Sequence, residues 1–195
     1  MTAEILKDLI LPGLFTTVFI SFLSFLAGSI PGVIIFLGKS YRLKSIHYVC
    51  TAYTELLDGI PQILQIFFLY YALPLISPAL TLSQWTTGLI FLALNAAARI
   101  ALTMEISNKE KAKKLTIVDV LKLLMLSSGQ VLPTIINYST LLSLIGLTDF
   151  VRATNVASAR FGNTSFYVFA VIVYLILNIS LKLFVKWIYK RFYKV

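Results

Sequence analysis

Charge is scarce in this sequence: 13% of its 195 residues are charged, where a soluble domain carries about a quarter. That scarcity excludes an ordinary soluble domain. Cysteine is nearly missing too. Cys50 stands alone, so no internal disulfide can form. His47 is the single histidine, which removes histidine clusters for metal binding or general-base chemistry. No serine has a convincing histidine and acidic partner, and neither a P-loop nor a GxGxxG pattern occurs. The inventory points away from an enzyme, and no cofactor or metal is expected.

What fills the chain is hydrocarbon. Hydrophobic residues make up 58%, and the mean hydropathy is +0.88. A bilayer-crossing helix needs about 20 mostly apolar residues, so the length suits about five spans with short loops. The runs predict spans at about 9–38, 50–77, 82–104, 121–146 and 165–187. The first run lacks a small-residue cleavage site and is too long for a signal-peptide core, so it reads as a retained helix. Pro31 is expected to bend its far end. Gly129, Gln130 and Pro133 are expected to interrupt the fourth span. The stretches KSYRLKSIHY and TDFVRATNVASARFGN read as a basic and a polar loop, with His47 solvated in the former.

Net charge is +9. The lysines sit between and after the apolar runs, as in cytoplasmic loops rather than a nucleic-acid surface, and no nucleic acid is expected. With five spans, thirteen basic residues fall on the side of the first and third loops and the C-terminus, against three on the other. The positive-inside rule then predicts an outside N-terminus and a cytoplasmic C-terminus. Trp187, Tyr189, Phe192 and Tyr193 suit an interfacial belt, with Lys182 and Lys186 snorkelling toward it.

Polar groups inside the runs are the candidates for function. In DGIPQILQIFFLYYALP, Gly59-Ile60-Pro61 marks a break, because lipid tolerates freed backbone groups only where something satisfies them. Gln62 and Gln65, three apart, share a helix face. They either bond a neighbouring helix or touch a solute. Asn95 and Arg99 lie one turn apart in the third span. A charge at that depth costs ~2.5–3.5 kcal/mol on insertion scales, so it is paired or functional. Glu55, Asp58 and Glu105 are the possible counter-charges, and recognition of an anionic group such as a carboxylate is the alternative.

Those residues carry a resemblance. DGIPQILQIFFLYYALP resembles the second-span signature RGTPxxVQxFxxYxxLP of the polar amino-acid permeases of bacterial ABC importers, through Gly59, Pro61, Gln65, Phe67, Tyr70, Leu73 and Pro74. Asp58 stands where the family has arginine, and Ile60 where it has threonine. LALNAAARIALTME is similar to LxLNSAAYxAExxR, with Arg99 in the place of tyrosine. STLLSLIGLTDFVRAT is similar to DTSLLSVIGVxELxRxA. In EKAKKLT, Glu110 and Ala112 match the family's Glu-Ala-Ala…Gly coupling loop; Lys111 replaces alanine and Thr116 replaces glycine. Relative to the family the chain is also shortened, before Glu110 and again between Gln130 and Thr140.

The resemblance implies an all-α integral membrane protein of the type I ABC importer kind, a single permease domain over 1–195. It is expected in the bacterial cytoplasmic (inner) membrane, among membrane lipid. Its cytoplasmic coupling segment, 107–120, includes Glu110, Lys111, Ala112, Lys113, Lys114, Leu115 and Thr116. The function implied is ATP-driven import of polar or basic amino acids. The partners implied are an ABC ATPase subunit, a second permease subunit (identical or not) and an extracytoplasmic amino-acid-binding protein. Glu55, Asp58, Gln62, Gln65, Asn95 and Arg99 are the expected pathway residues. A non-transporting structural membrane protein and, further off, a small channel are the competing readings.

Overall fold

The structure, a computed structural model, describes residues 6–40, 43–108 and 115–193. It is all helical among those residues. Helix α1 (Leu11–Lys39) extends a wide turn at Leu6–Ile10. Then come α2 (Lys44–Gly59), α3 (Gln62–Ile76), α4 (Gln84–Ser107), α5 (Ile117–Ser139, drawn out as a 3-10 segment to Ile145), α6 (Phe150–Phe161) and α7 (Ser165–Tyr193). Four helices, α1, α4, α5 and α7, are long and apolar enough to cross a bilayer, and α2 with α3 makes a fifth if the bent pair is one span.

The bend between α2 and α3 is 100°, at the expected Gly-Ile-Pro break. Pro61 has no N–H and crowds the residue before it, so Ile60 takes an extended conformation (φ −90°, ψ 128°) and the helix stops. Past the bend, a widened turn at Phe68–Ala72 precedes Pro74. This absorbs a second missing donor without ending the helix.

Small residues bring α1 and α4 together. A methyl group at Gly28 would lie 2.6 Å from the Ala93 carbonyl oxygen and 2.7 Å from the Ala96 Cβ; one at Gly32 would lie 2.9 Å from the Ala97 oxygen. Ala96, Ala97 and Ala101 complete the contact from α4. In lipid no hydrophobic force drives helices together, so close backbone approach supplies the attraction. Phe36, Ile66, Phe91, Ile100, Met104 and Ile135 build the core around this seam. Outward faces carry exposed Phe15, Ile34, Val171, Leu183 and Trp187, as lipid-facing surfaces do.

The structure corrects three local expectations. The polar stretch after the fourth span holds a helix, α6. Asp149 caps it by accepting from the Arg152 N–H at 2.9 Å, Ala153 and Ala157 bury its inner face, and Gly162, at φ 61°, ends it. The fourth span is not interrupted: α5 runs through Gly129 and Pro133, and Gly129 serves a close approach to Val185 of α7. Pro31 sits within α1, which continues past it to Lys39. His47 belongs to α2 rather than to a loop. Its Nδ1 donates to the Lys39 carbonyl at 2.6 Å, capping the C-terminal end of α1.

Candidate functional site

The bend frees backbone carbonyls, and Gln65 answers them. Its Nε2 donates to Leu57 O at 2.8 Å and to Ile60 O at 2.7 Å. Its Oε1 accepts from Asn95 Nδ2 at 2.8 Å, and that nitrogen also donates to Phe91 O at 2.9 Å. Both amides are buried, at 9% and 2% exposure. They form a brace from α4 through α3 to the end of α2, so Gln65 does bond a neighbouring helix. Beside it lies a cleft of about 490 Å³ lined mainly by Leu56, Ile60, Leu64, Phe68 and Leu94. The amide N–H groups of both residues and Gln65 Oε1 are committed to the backbone and to each other, so the cleft presents mostly hydrocarbon.

Arg99 sits in a clamp. Its Nη2 lies 2.8 Å from Asp58 Oδ1 and donates to the Tyr138 hydroxyl at 2.9 Å, with the guanidinium 5.9 Å from the Tyr138 ring centroid. Of the three possible counter-charges, Asp58 is the partner. The clamp joins the end of α2, the middle of α4 and α5. Arg99 is 35% and Asp58 49% exposed in their side chains, so the pair is open to a solute. Asp58 also sits at a helix C-terminus, where negative charge is disfavoured; Arg99 offsets that.

Glu105 is taken by a different cation. Lys39 Nζ lies 2.7 Å from Glu105 Oε2 and 3.4 Å from Thr54 Oγ1, and the Lys39 side chain is only 9% exposed. This pair pins the end of α1 against α2 and α4, so Lys39 is more than a loop charge. Glu55 faces outward with no ion-pair partner among the described residues. Gln62 opens α3, half-buried.

A second cleft, of about 460 Å³, was not foreseen. Gln130, Pro133, Thr134 and Asn137 of α5 and Asn178 and Lys182 of α7 line it. Asn178 Nδ2 donates to Asn137 Oδ1 at 3.0 Å, while Asn178 Oδ1 is buried without a partner. The signal was in the sequence: positions 130, 134 and 137 make one polar stripe on a helix, and 178 and 182 make another.

Glu110, Lys111, Ala112, Lys113 and Lys114 of the expected coupling segment lie outside the described residues. Leu115 packs against the core. Thr116 is the N-cap of α5: its hydroxyl accepts from the Asp119 N–H at 3.3 Å, and the Asp119 carboxylate accepts from the Thr116 N–H at 3.0 Å. The segment therefore enters α5 through a fixed cap. At the other end of α1, Asp149 is fully buried under α6, and burial pushes its carboxyl up to about 6 despite the Arg152 amide and charge.

No family model matches the chain. One stretch of 92 residues is 33% identical to a probable amino-acid ABC transporter permease protein, YckA, of Bacillus subtilis, covering 47% of this chain and 40% of that protein. A stretch of 93 residues is 26% identical to GlnP of Escherichia coli K12, a glutamine transport system permease protein, covering 48% and 42%. The matched stretch thus spans about two fifths of these relatives' length. A solved amino acid ABC transporter, crystallised with histidines, superposes with a TM-score of 0.81 over 95% of this chain and 94% of that one, at 20% identity. In sequence and fold the chain is similar to amino-acid ABC transporter permeases. The fold likeness extends over nearly the whole chain, well beyond the aligned sequence.

Proposed function

We propose that the chain is a permease subunit of an ATP-driven importer of polar amino acids in the bacterial cytoplasmic membrane. It would pair with a second permease subunit, an ABC ATPase and an extracytoplasmic binding protein. The observation that carries this reading is the near-complete likeness of fold to an amino acid ABC transporter, joined to sequence similarity with permeases. The basic loops support an outside N-terminus and a cytoplasmic C-terminus.

The geometry supports a mechanism. The coupling segment at 107–120 lies between α4 and α5, and each of these helices holds part of the clamp: Arg99 on α4, Tyr138 on α5. A push on the segment by a closing ATPase dimer would be carried into α5 by the Thr116–Asp119 cap. Tilting α4 and α5 against α2 would part Arg99 from Asp58 and change the side to which the route opens. Gln65 and Asn95 hold the bend rigid, so that the motion is spent at the clamp. Glu55, Asp58, Gln62 and Arg99 are the proposed route residues, with Gln65 and Asn95 bracing the bend behind them. With Asp58 neutralised by Arg99, the case for a cationic substrate rests on Glu55.

Proteoliposomes holding the chain with its ATPase and binding protein test the reading. ATP-dependent uptake of a labelled polar amino acid is expected. Lys111→Glu with Lys114→Glu is expected to weaken co-purification of the ATPase. Wild-type vesicles that take up none of the amino acids tried would leave a structural membrane protein as the better account.

A further inference from the structure

The polar cleft between α5 and α7 lies where polarity is least expected. Lys182 is nine residues before Arg191 and seventeen after Ser165, about 14 Å and about 26 Å along the helix at ~1.5 Å per residue. Lys182 is exposed in the C-terminal half of α7, about 8 Å short of Trp187, close enough for its stem to snorkel toward that interface as well as to face the cleft. An ionisable side chain inside a span faces a partner, a wet cavity or the nearer interface. Here the neighbours are the amides of Gln130, Asn137 and Asn178 and the hydroxyl of Thr134. The lining holds one cation and no acid.

Two features of the lining match the head of an α-amino acid. Lys182 offers an ammonium to a carboxylate. Asn178 spends its N–H on Asn137, and its oxygen is left buried with no donor among the described residues; an ammonium group would supply one. The volume of about 460 Å³ falls in the range of small-molecule sites. The cleft beside the bend is of similar size but lined mainly by hydrocarbon, and offers neither.

We propose that the α5–α7 cleft is a carboxylate-accepting subsite of the translocation route, suited to neutral and acidic amino acids and adverse to basic ones. The proposal rests on the importer reading above. Lys182 pairs with the substrate carboxylate, Asn178 Oδ1 accepts from its ammonium, and Gln130 and Thr134 meet a polar side chain. A basic substrate would bring a second positive charge beside Lys182 with no acid in the cleft to offset it.

The test is equilibrium binding of radiolabelled L-glutamine, L-glutamate and L-lysine to the full chain, reconstituted with its ATPase in nanodiscs. Wild type is expected to bind glutamine or glutamate more tightly than lysine. Lys182→Met should raise Kd for the preferred ligand about tenfold, the loss of one charge-assisted hydrogen bond, and Lys182→Arg should stay within about threefold. Methionine suits a lipid-facing helix, so the variant's folding is not at risk. A second measurement uses Thr134→Cys in a Cys50→Ala background: a charged thiol reagent should label it, and glutamine should slow the labelling. Unchanged binding by Lys182→Met, or labelling that glutamine does not slow, overturns the subsite and leaves the importer reading standing. Tighter binding of lysine overturns the selectivity. No binding of any of the three ligands, with no ATP-driven uptake, overturns both.

Discussion

Two pairs of amides cross between helices in this molecule, and they are built to opposite ends. Gln65 and Asn95 are closed: every hydrogen bond they offer lands on each other or on a backbone carbonyl, and both are buried in hydrocarbon. Asn137 and Asn178 share one bond, leave an oxygen without a donor and open onto a cleft beside Lys182. The same chemical group is a brace in the first place and a wall in the second. What separates them is the bend. Where backbone carbonyls are freed, a nearby amide is drawn to them; where the helix runs unbroken, the amide has only solvent, ligand or another side chain to meet.

The largest test of this contrast removes the brace. Gln65→Leu keeps the volume but strands Leu57 O, Ile60 O and the Asn95 amide, and an unmet buried polar group costs ~1–3 kcal/mol. A loss of about 3 kcal/mol is expected, read as a clear fall in Tm in nanodiscs. An unchanged Tm would mean that the bend needs no brace.

Next in size is the orphaned carboxylate oxygen of Asp149, which sharpens the comparison from outside the spans. Burial raises its carboxyl from 3.8 to about 6, so the folded state holds the proton more tightly than the unfolded one. The associated stability is fully present below about 4 and is lost as pH rises through about 6. Asp149→Asn keeps the cap, since asparagine also accepts from the Arg152 N–H, and carries no charge. It is expected to stabilise the protein by about 2 kcal/mol at neutral pH and by nothing near pH 3. A variant whose melting curve tracks wild type at both pH values would show that the buried charge is not penalised.

The Asp58–Arg99 clamp stands between brace and wall, bonded yet open. Because both side chains are more than a third exposed or nearly so, a double-mutant cycle with alanine should return a coupling of only about 0.5–1 kcal/mol. Transport should fall far more than stability in the single variants. A coupling near zero together with full transport would make the clamp incidental.

The sequence and the structure agree where the signals are local. Apolar length marked the spans, and Gly59-Ile60-Pro61 marked the bend, because a glycine two residues before a proline adds backbone freedom to the bias of a pre-proline residue away from the helix. Pairing was not legible. Arg99 had three acidic candidates, and helix rotation chose among them, giving Asp58 to Arg99 and Glu105 to Lys39. Helix α6 read as a loop because, after Phe150, its buried face is small: Ala153 against Gly13, and Ala157. Tyr138 and Asn178 went unmarked because only adjacency across helices gives each its partner, Arg99 for the one and Asn137 for the other.

The smallest expected effect on stability is at the wall. Asn137→Leu with Asn178→Leu removes one side-chain hydrogen bond and two polar groups from the span together, so neither is left without its partner. Replacing both members of a polar pair by apolar groups of similar size is nearly neutral, and in lipid the gained hydrocarbon offsets the lost bond. A change within about 0.5 kcal/mol is expected, against about 3 kcal/mol for Gln65→Leu. Uptake should behave the other way, falling with the wall while the fold stands. If instead the double leucine variant melts well below wild type and still transports, the two amide pairs are both braces, and the cleft beside Lys182 belongs to packing.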